Sequence, residues 1–423
     1  MALKIASFFF ILAISSLFRA SFPAFLVPVT KDSAAEKYTL PIYLRTPPRQ
    51  VYLLLDLGAT FTLIDCSKNY ASSSYHSIPC GSPLCSSLGP HSCSVCSGLA
   101  GPGCSNNSCA LHFTDSGARK STVMGEALMD SLSLPVTNGR NPGPFGTIHN
   151  FIFSCTKGPF HKAHVKGTSG SAGFGRSKLS VPAQLSKSFK EKFLFTLCLS
   201  GSPSAPGVVF FGSPGPYYFL PEIDLSKHLI YTPLLSPQLS NGYFIGLTSI
   251  KVNEKVIWLT NEGLVPTKIS TMTPYTTLRS AIFKAFAEAF VNESAAADLK
   301  VREPVKPFSI CYNADDIADT PVGPAVPTVD LVMQNDDAVW RIFGSNSMVR
   351  IFRGGVDAWC LGFLDGGDHP KAPPIVIGGH QIEDNLWQFD VESERVGFSG
   401  NVLVHGTMCA NFNFTKNEGL LYI

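Results

Sequence analysis

Short apolar runs punctuated by Gly, Pro, Ser and Asn recur along almost the whole chain. Examples are Tyr38–Tyr43, Val51–Leu55, Val208–Phe211, Tyr243–Leu247 and Ile375–Ile377. That rhythm predicts an all-β protein. Two segments read as helices. One starts around Pro182, a residue suited to a first helical turn, and runs toward Phe189. The other spans about Thr277–Leu299, where Ile282, Phe283, Phe286 and Phe290 return at helical spacing.

The pattern also repeats on a longer scale. Residues 38–60 give an alternating strand, a linker, then an apolar strand ending at Asp56-Leu57-Gly58. Residues 243–273 give a similar strand, a longer linker, then Pro266–Thr273. Each half later carries an apolar strand running into glycine, Ala172-Gly173-Phe174-Gly175 in the first and Ile375-Val376-Ile377-Gly378-Gly379 in the second. A repeat this long implies a duplicated β domain rather than a solenoid.

Composition narrows the class. Of 423 residues, 45% are hydrophobic and 15% charged, which fits a well-buried globular protein. A net charge of +2 supplies no field for nucleic acid or an anionic membrane, so neither is expected as a partner. Lys4, the apolar run Ile5–Phe18 and the small residues Ala20, Ser21 and Ala24 form a secretory signal peptide over residues 1–24. The mature chain is then exported, and the run is too short for a membrane span.

Twelve cysteines all follow that segment: Cys66, Cys80, Cys85, Cys93, Cys96, Cys104, Cys109, Cys155, Cys198, Cys311, Cys360 and Cys409. An even count in an oxidising compartment predicts that every one of them enters a disulfide, six in all, with connectivity open. Cys93 and Cys96 have zinc-ligand spacing, but no second pair completes a site, so no metal and no cofactor are expected. Asn106, Asn292 and Asn413 head N-glycosylation sequons.

The strand Val51–Leu55 leading into Asp56-Leu57-Gly58-Ala59-Thr60 resembles the D-T-G-S/A motif of pepsin-like aspartic proteases. The segment from Ile375 through Gln388-Phe389-Asp390 to Arg395-Val396-Gly397-Phe398 resembles the end of that fold. Four further stretches are similar to one plant branch, the extracellular dermal glycoproteins, basic 7S globulins, conglutin gamma and the xylanase and xyloglucanase inhibitors. They are Val27–Asp32, Thr271–Thr276, Gly344–Met348 and Cys409–Phe414. The resemblance covers the mature chain. It implies a two-lobed pepsin-like fold around a central cleft, with lobes at 25–219 and 220–423, and pairs Cys311 with Cys360 and Cys198 with Cys409.

Aspartic-protease chemistry needs two carboxyls sharing one proton, one ionised to activate water and one protonated to donate to the scissile carbonyl. Where the second should stand, Ser270 aligns, and no Asp or Glu lies between Glu262 and Glu288. Leu57 replaces the hydroxyl residue of the first motif. Asp56 and Ser270 are therefore read as vestigial, with Asp56 accepting backbone hydrogen bonds. The flap region Cys109–Gly117 lacks the expected Tyr, and His112 reads as a surface residue. No G-x-S-x-G elbow or H-E-x-x-H motif offers another chemistry. His161 and His164 lie among lysines in what reads as a solvated loop.

In the inhibitor branch, two loops of the second lobe reach into the cleft of a microbial glycoside hydrolase. Here they correspond to residues 319–324 and 401–408. Xyloglucanase inhibitors carry arginines there; this chain has Pro321 and Gly406. His405 stands four residues before Cys409, the spacing of a functional His in cereal xylanase inhibitors, and an exposed His without a role is the alternative. Arg350 and Arg353 could add positive charge. Three functions follow: a binder or inhibitor of cell-wall hydrolases acting in plant defence, a residual aspartic endopeptidase, or a storage or ligand-binding protein. The oligomeric state stays open.

Overall fold

The computed structural model describes residues 24–67, 70–115, 121–157, 165–237, 240–257, 263–335 and 338–416. Residues 1–23 of the signal-peptide reading, His161 and His164 lie outside them, and Ala24 opens the first strand, Ala24–Asp32. The molecule is two-lobed and built mainly of strands. A 15-stranded sheet contains every long strand of the first half together with three from the second, Ile230–Pro233, Asn385–Asp390 and Arg395–Asn401. Leu194–Cys198 pairs antiparallel with Asn385–Asp390, which stitches the halves together. Phe195 stacks on Phe389 across that seam, ring centroids 4.9 Å apart, and the Cys198–Cys409 disulfide closes it.

All twelve cysteines pair, which settles the connectivity that their spacing left open. Cys66 joins Cys155, Cys80 joins Cys93, Cys85 joins Cys109 and Cys96 joins Cys104. Cys198 joins Cys409 and Cys311 joins Cys360, the two pairings that the resemblance implied. Cys93 and Cys96 each end in a separate bridge, so neither is a thiolate that could ligate zinc. The Cys66–Cys155 bridge ties Leu63–Asp65 to the strand beside it, Pro142–Thr156, just beyond their parallel pairing. The bridges of Cys80, Cys85 and Cys104 all fall within residues 80–109, where only a small apolar cluster around Ile78, Leu88 and Leu111 forms. Crosslinks there restrict the unfolded chain where burial is scarce.

Of the two expected helices, the first, α1, is Val181–Phe189, with Ser180 Oγ accepting the Ala183 N–H and Pro182 in the first turn. The second, α2, is Ser280–Ala296 and buries Ile282, Phe286 and Phe290 on one face. It is shorter than the sequence implied because Thr276–Leu278 is drawn into a parallel pairing with Phe363–Asp365. The apolar run Tyr243–Leu247 likewise divides into strands in two sheets. It breaks at Gly246, where a Cβ would collide with the Gln334 side chain.

Candidate functional site

Two strand ends meet at the lobe junction, and their registers match. Arg49–Asp56 lies parallel to Gly170–Gly173, with Leu55 opposite Ala172. Thr267–Ile269 lies parallel to Ile375–Ile377, with Ile269 opposite Ile377. A Cβ on Gly173 would strike the backbone of Phe61, five residues after Asp56. A Cβ on Gly378 would strike the backbone of Tyr275, five residues after Ser270. Internal symmetry therefore puts Ser270 at the position equivalent to Asp56.

The local hydrogen bonds repeat as well. Asp56 is partly exposed, and its Oδ1 accepts the Gly58 N–H at 2.8 Å. Buried Ser270 accepts the Met272 N–H at 3.2 Å and the Thr273 hydroxyl at 3.3 Å. Between them sits Thr271, which the sequence reading did not single out. Its Oγ1 donates to the Leu55 carbonyl at 2.6 Å and accepts the Leu57 N–H at 3.3 Å, reaching from one half into the other. The reciprocal hydroxyl is missing, because Leu57 stands fully buried in its place. Lys268, also unremarked in the sequence, brings its Nζ to within 3.9 Å of a point above Gly58 that lies 3.4 Å from Asp56 Oδ1. The junction thus presents one carboxylate, one alcohol and a nearby ammonium. An alcohol cannot share the proton that two-carboxyl hydrolysis requires.

The proposed flap is the hairpin of Cys109–Asp115 and Ser121–Thr137; residues 116–120 lie outside the described set. His112 Nε2 meets Ser92 Oγ at 2.9 Å, away from any carboxylate pair. Asn106 and Asn292 are exposed, though Asn292 lies inside α2 with Ser294 of its sequon buried. Asn413 is half-buried, its Oδ1 taken by Thr415.

The two loop candidates share one support. Pro321 is exposed at the tip of a small hairpin, Asp319–Thr320 against Gly323–Pro324. Gly406 is exposed at the end of a 3-10 turn, Val402–His405, with φ of 73°. Between them lies the one-turn helix Gly344–Ser347. The Ser345 N–H donates to Val322 O at 2.8 Å, and Gly323 and Gly344 allow backbone contact that any Cβ would block. From the other side, Asn401 Nδ2 donates to Ser345 Oγ and Asn346 Oδ1, each at 2.7 Å. The Asn401 Oδ1 in turn accepts the Leu403 N–H and caps the 3-10 turn. His405 is half-buried and stacks on His228, centroids 3.8 Å apart; burial and that neighbour push its pKa down.

A further polar network escaped the sequence. Buried Glu383 receives the Tyr38 hydroxyl at 2.5 Å, Lys31 Nζ at 2.9 Å and His380 Nδ1 at 3.2 Å. Burial raises its pKa, but His380 and Lys31 outweigh that and hold it below the ordinary carboxylate range. Its neighbour Asp384 accepts the Cys409 N–H at 2.8 Å, and burial pushes its pKa up to about 6. Both border a cavity of about 270 Å³ that Asn346, Arg350 and Trp359 also line. Tyr38 and Glu383 stand 345 positions apart, so no local spacing could reveal them. Among the described residues, no helix is long and apolar enough to cross a membrane.

Comparison with known proteins places these features. Residues 38–213 match the family model described as xylanase inhibitor N-terminal, and residues 242–400 match xylanase inhibitor C-terminal. A relative from Glycine max named probable aspartic proteinase GIP1 is 43% identical over 401 residues, 91% of each chain. A solved structure titled edgp superposes with a TM-score of 0.86 at 42% identity, covering 93% of this chain and 99% of that one. An aspartic proteinase from Irpex lacteus superposes at 0.59 with 14% identity over 91% of this chain and 99% of its own, which shows the pepsin-like fold.

Proposed function

Because this chain belongs to the xylanase-inhibitor family of pepsin-like proteins, we propose that it acts by binding, as a secreted plant protein that blocks a microbial cell-wall glycoside hydrolase. The observation that carries this reading is the Asp56–Ser270 junction. A fold whose chemistry needs two carboxyls keeps one, yet retains the Thr271 contact that holds the halves in register. The turns at Pro321 and Gly406 supply the binding surface. They are exposed, close to one another through Ser345 and Asn401, and preorganised, so little ordering entropy is lost on docking.

Neither turn carries an arginine, so a pair of hydrolase carboxylates would not be clamped by guanidinium forks there. The surface instead offers exposed Val404 and Met408 beside His405. Affinity then rests on apolar burial and the imidazole.

The test is to titrate the purified protein against an endoxylanase and a xyloglucan-specific endoglucanase, with casein digestion at acid pH run alongside. Inhibition of either hydrolase, reduced at least tenfold by His405→Ala or by Asn401→Ala, supports the reading. Casein cleavage sensitive to pepstatin, or full activity of both hydrolases at micromolar protein, overturns it.

A further inference from the structure

Beside the Pro321 turn stands a β-hairpin formed by Met348–Arg353 and Val356–Leu361. Its side chains divide between two faces. Val349, Ile351, Val356, Ala358 and Cys360 face inward onto an apolar cluster pinned by the Cys311–Cys360 disulfide. Arg350, Phe352 and Asp357 face outward, Phe352 opposite Asp357, while Trp359, opposite Arg350, is half-buried and packs against the main core. Phe352 is 81% exposed. Gly354 and Gly355 form the turn, with φ of 59° and 77°, the left-handed pair that a tight hairpin turn requires.

We propose that the exposed tip of this hairpin is a second docking element, on which Phe352 enters an apolar recess of the partner protein and Arg353 meets carboxylates on its rim. This rests on the binding function proposed above and extends it to residues outside the two loops. Three observations support it. Phenylalanine and arginine are enriched in interface cores, and here Phe352 and Arg353 stand exposed side by side at the hairpin tip. The hairpin is held in place by its inner side chains and the disulfide, so docking through Phe352 orders little backbone.

Continuity with the loop surface is the third. The hairpin begins at Met348, immediately after the helix that supports the Pro321 and Gly406 turns. Arg350 is held charged first by its bidentate pair with Asp357, at 3.0 and 2.9 Å, and also by Asp319 and Asp315, which places the outer face alongside the segment leading into Pro321.

Charge selects the partner. Asp357 neutralises Arg350, and Asp315, Asp316 and Asp319 offset charge on the loop segment. At the tip, exposed Arg353 follows Phe352 directly and donates to the Lys306 carbonyl at 3.4 Å, so a cation flanks Phe352 in the chain. An apolar recess with an acidic rim is complementary to that arrangement. A hydrolase that binds sugar on aromatic rings between carboxylates has this chemistry.

The experiment compares wild type, Phe352→Ala and Arg353→Glu in inhibition titrations against the same endoxylanase and xyloglucan-specific endoglucanase. Thermal melts show that the exposed substitutions leave folding intact. Phe352→Ala should weaken inhibition tenfold or more. Arg353→Glu should weaken it about fivefold, mainly through slower association, with the deficit shrinking as salt rises. Wild-type-like inhibition by Phe352→Ala, with His405→Ala impaired, overturns the hairpin assignment and leaves the loops standing. Inhibition of neither hydrolase by wild type overturns both. A wild-type dimer in sedimentation that Phe352→Ala dissociates also overturns the assignment, since the recess would then belong to a second copy.

Discussion

The two halves of the molecule end their central strands on the same geometry and have lost opposite parts of it. The first half keeps the carboxylate, Asp56, and replaces the adjacent hydroxyl with Leu57. The second keeps the hydroxyl, Thr271, and replaces the carboxylate with Ser270. What survives is one acid and one complete cross-lobe contact, from Thr271 to Leu55 and Leu57. The lesson is that packing and chemistry are separable at this junction. The backbone groups of Leu55 and Leu57 must be satisfied whether or not water is activated, so one brace is retained after the reaction has gone.

If the halves are structurally equivalent, matched substitutions should do matched damage. Gly173→Ala and Gly378→Ala each push a methyl into backbone that cannot move, that of Phe61 and Tyr275. Both should destabilise by about 3 kcal/mol or more, or abolish the yield of folded protein. Urea midpoints or yields that differ grossly between the two would break the equivalence. Thr271→Val comes next, because the halves are not equivalent there. It orphans a buried carbonyl and a buried N–H, at a cost of about 2–4 kcal/mol, whereas Thr271→Ser should cost less than half as much. Calorimetry on the pair of variants measures this.

How much of this was legible beforehand follows from what each feature depends on. Asp56, Ser270 and the missing hydroxyl at Leu57 could be read because the motif is local and repeated. So could the strands Arg49–Asp56 and Ile375–Ile377, whose apolar runs are decided by burial. That every cysteine is bridged followed from an even count in a chain read as exported. Which of Cys80, Cys85, Cys93, Cys96, Cys104 and Cys109 joined which did not, because all six lie close enough in sequence for any pairing. The limits of α2 were hidden too, since its first turn was claimed by a strand partner, Phe363–Asp365, almost ninety positions away. Thr271 was quoted as part of a motif, but its role is visible only once Leu55 is beside it. Lys268 and the Glu383 network are contacts between distant segments, and periodicity carries no signal for them. Likewise Gly344–Met348 marked a family without disclosing that Ser345 and Asn346 join two loops.

The halves also differ in charge beyond the strand ends. After Gly170–Gly173 comes the Ser180 cap of α1; after Ile375–Ile377 come Glu383 and Asp384. Asp384 has a pKa raised by burial to about 6 from an ordinary 3.8. Between those values the folded state binds more protons than the unfolded one, so this group's stabilising contribution is present below pH 4 and is lost as pH rises through 6. Asp384→Asn keeps an acceptor for the Cys409 N–H and removes that loss. The variant should gain about 1–2 kcal/mol over wild type at pH 7 and little or nothing at pH 4, read from urea midpoints. An equal gain at both pH values would assign the effect to packing.

Leu57→Thr should have the smallest effect and asks the most pointed question. The new hydroxyl would lie across from Ile269 and Thr271, the mirror image of the contact that Thr271 already makes. Loss of apolar volume opposes the added hydrogen bonds, and the net change should stay within about 1 kcal/mol. Peptide hydrolysis should remain at background, because bracing does not supply a second acid. Ser270→Asp alone should also stay silent, since Leu57 still withholds the hydroxyl that would brace the pair and the Lys268 ammonium stands near Asp56. Hydrolysis should appear, if anywhere, only when Leu57→Thr and Ser270→Asp are joined by Lys268→Val. Activity in Ser270→Asp by itself would show that one substitution separates binder from enzyme, and that Leu57 and Lys268 are bystanders at the junction.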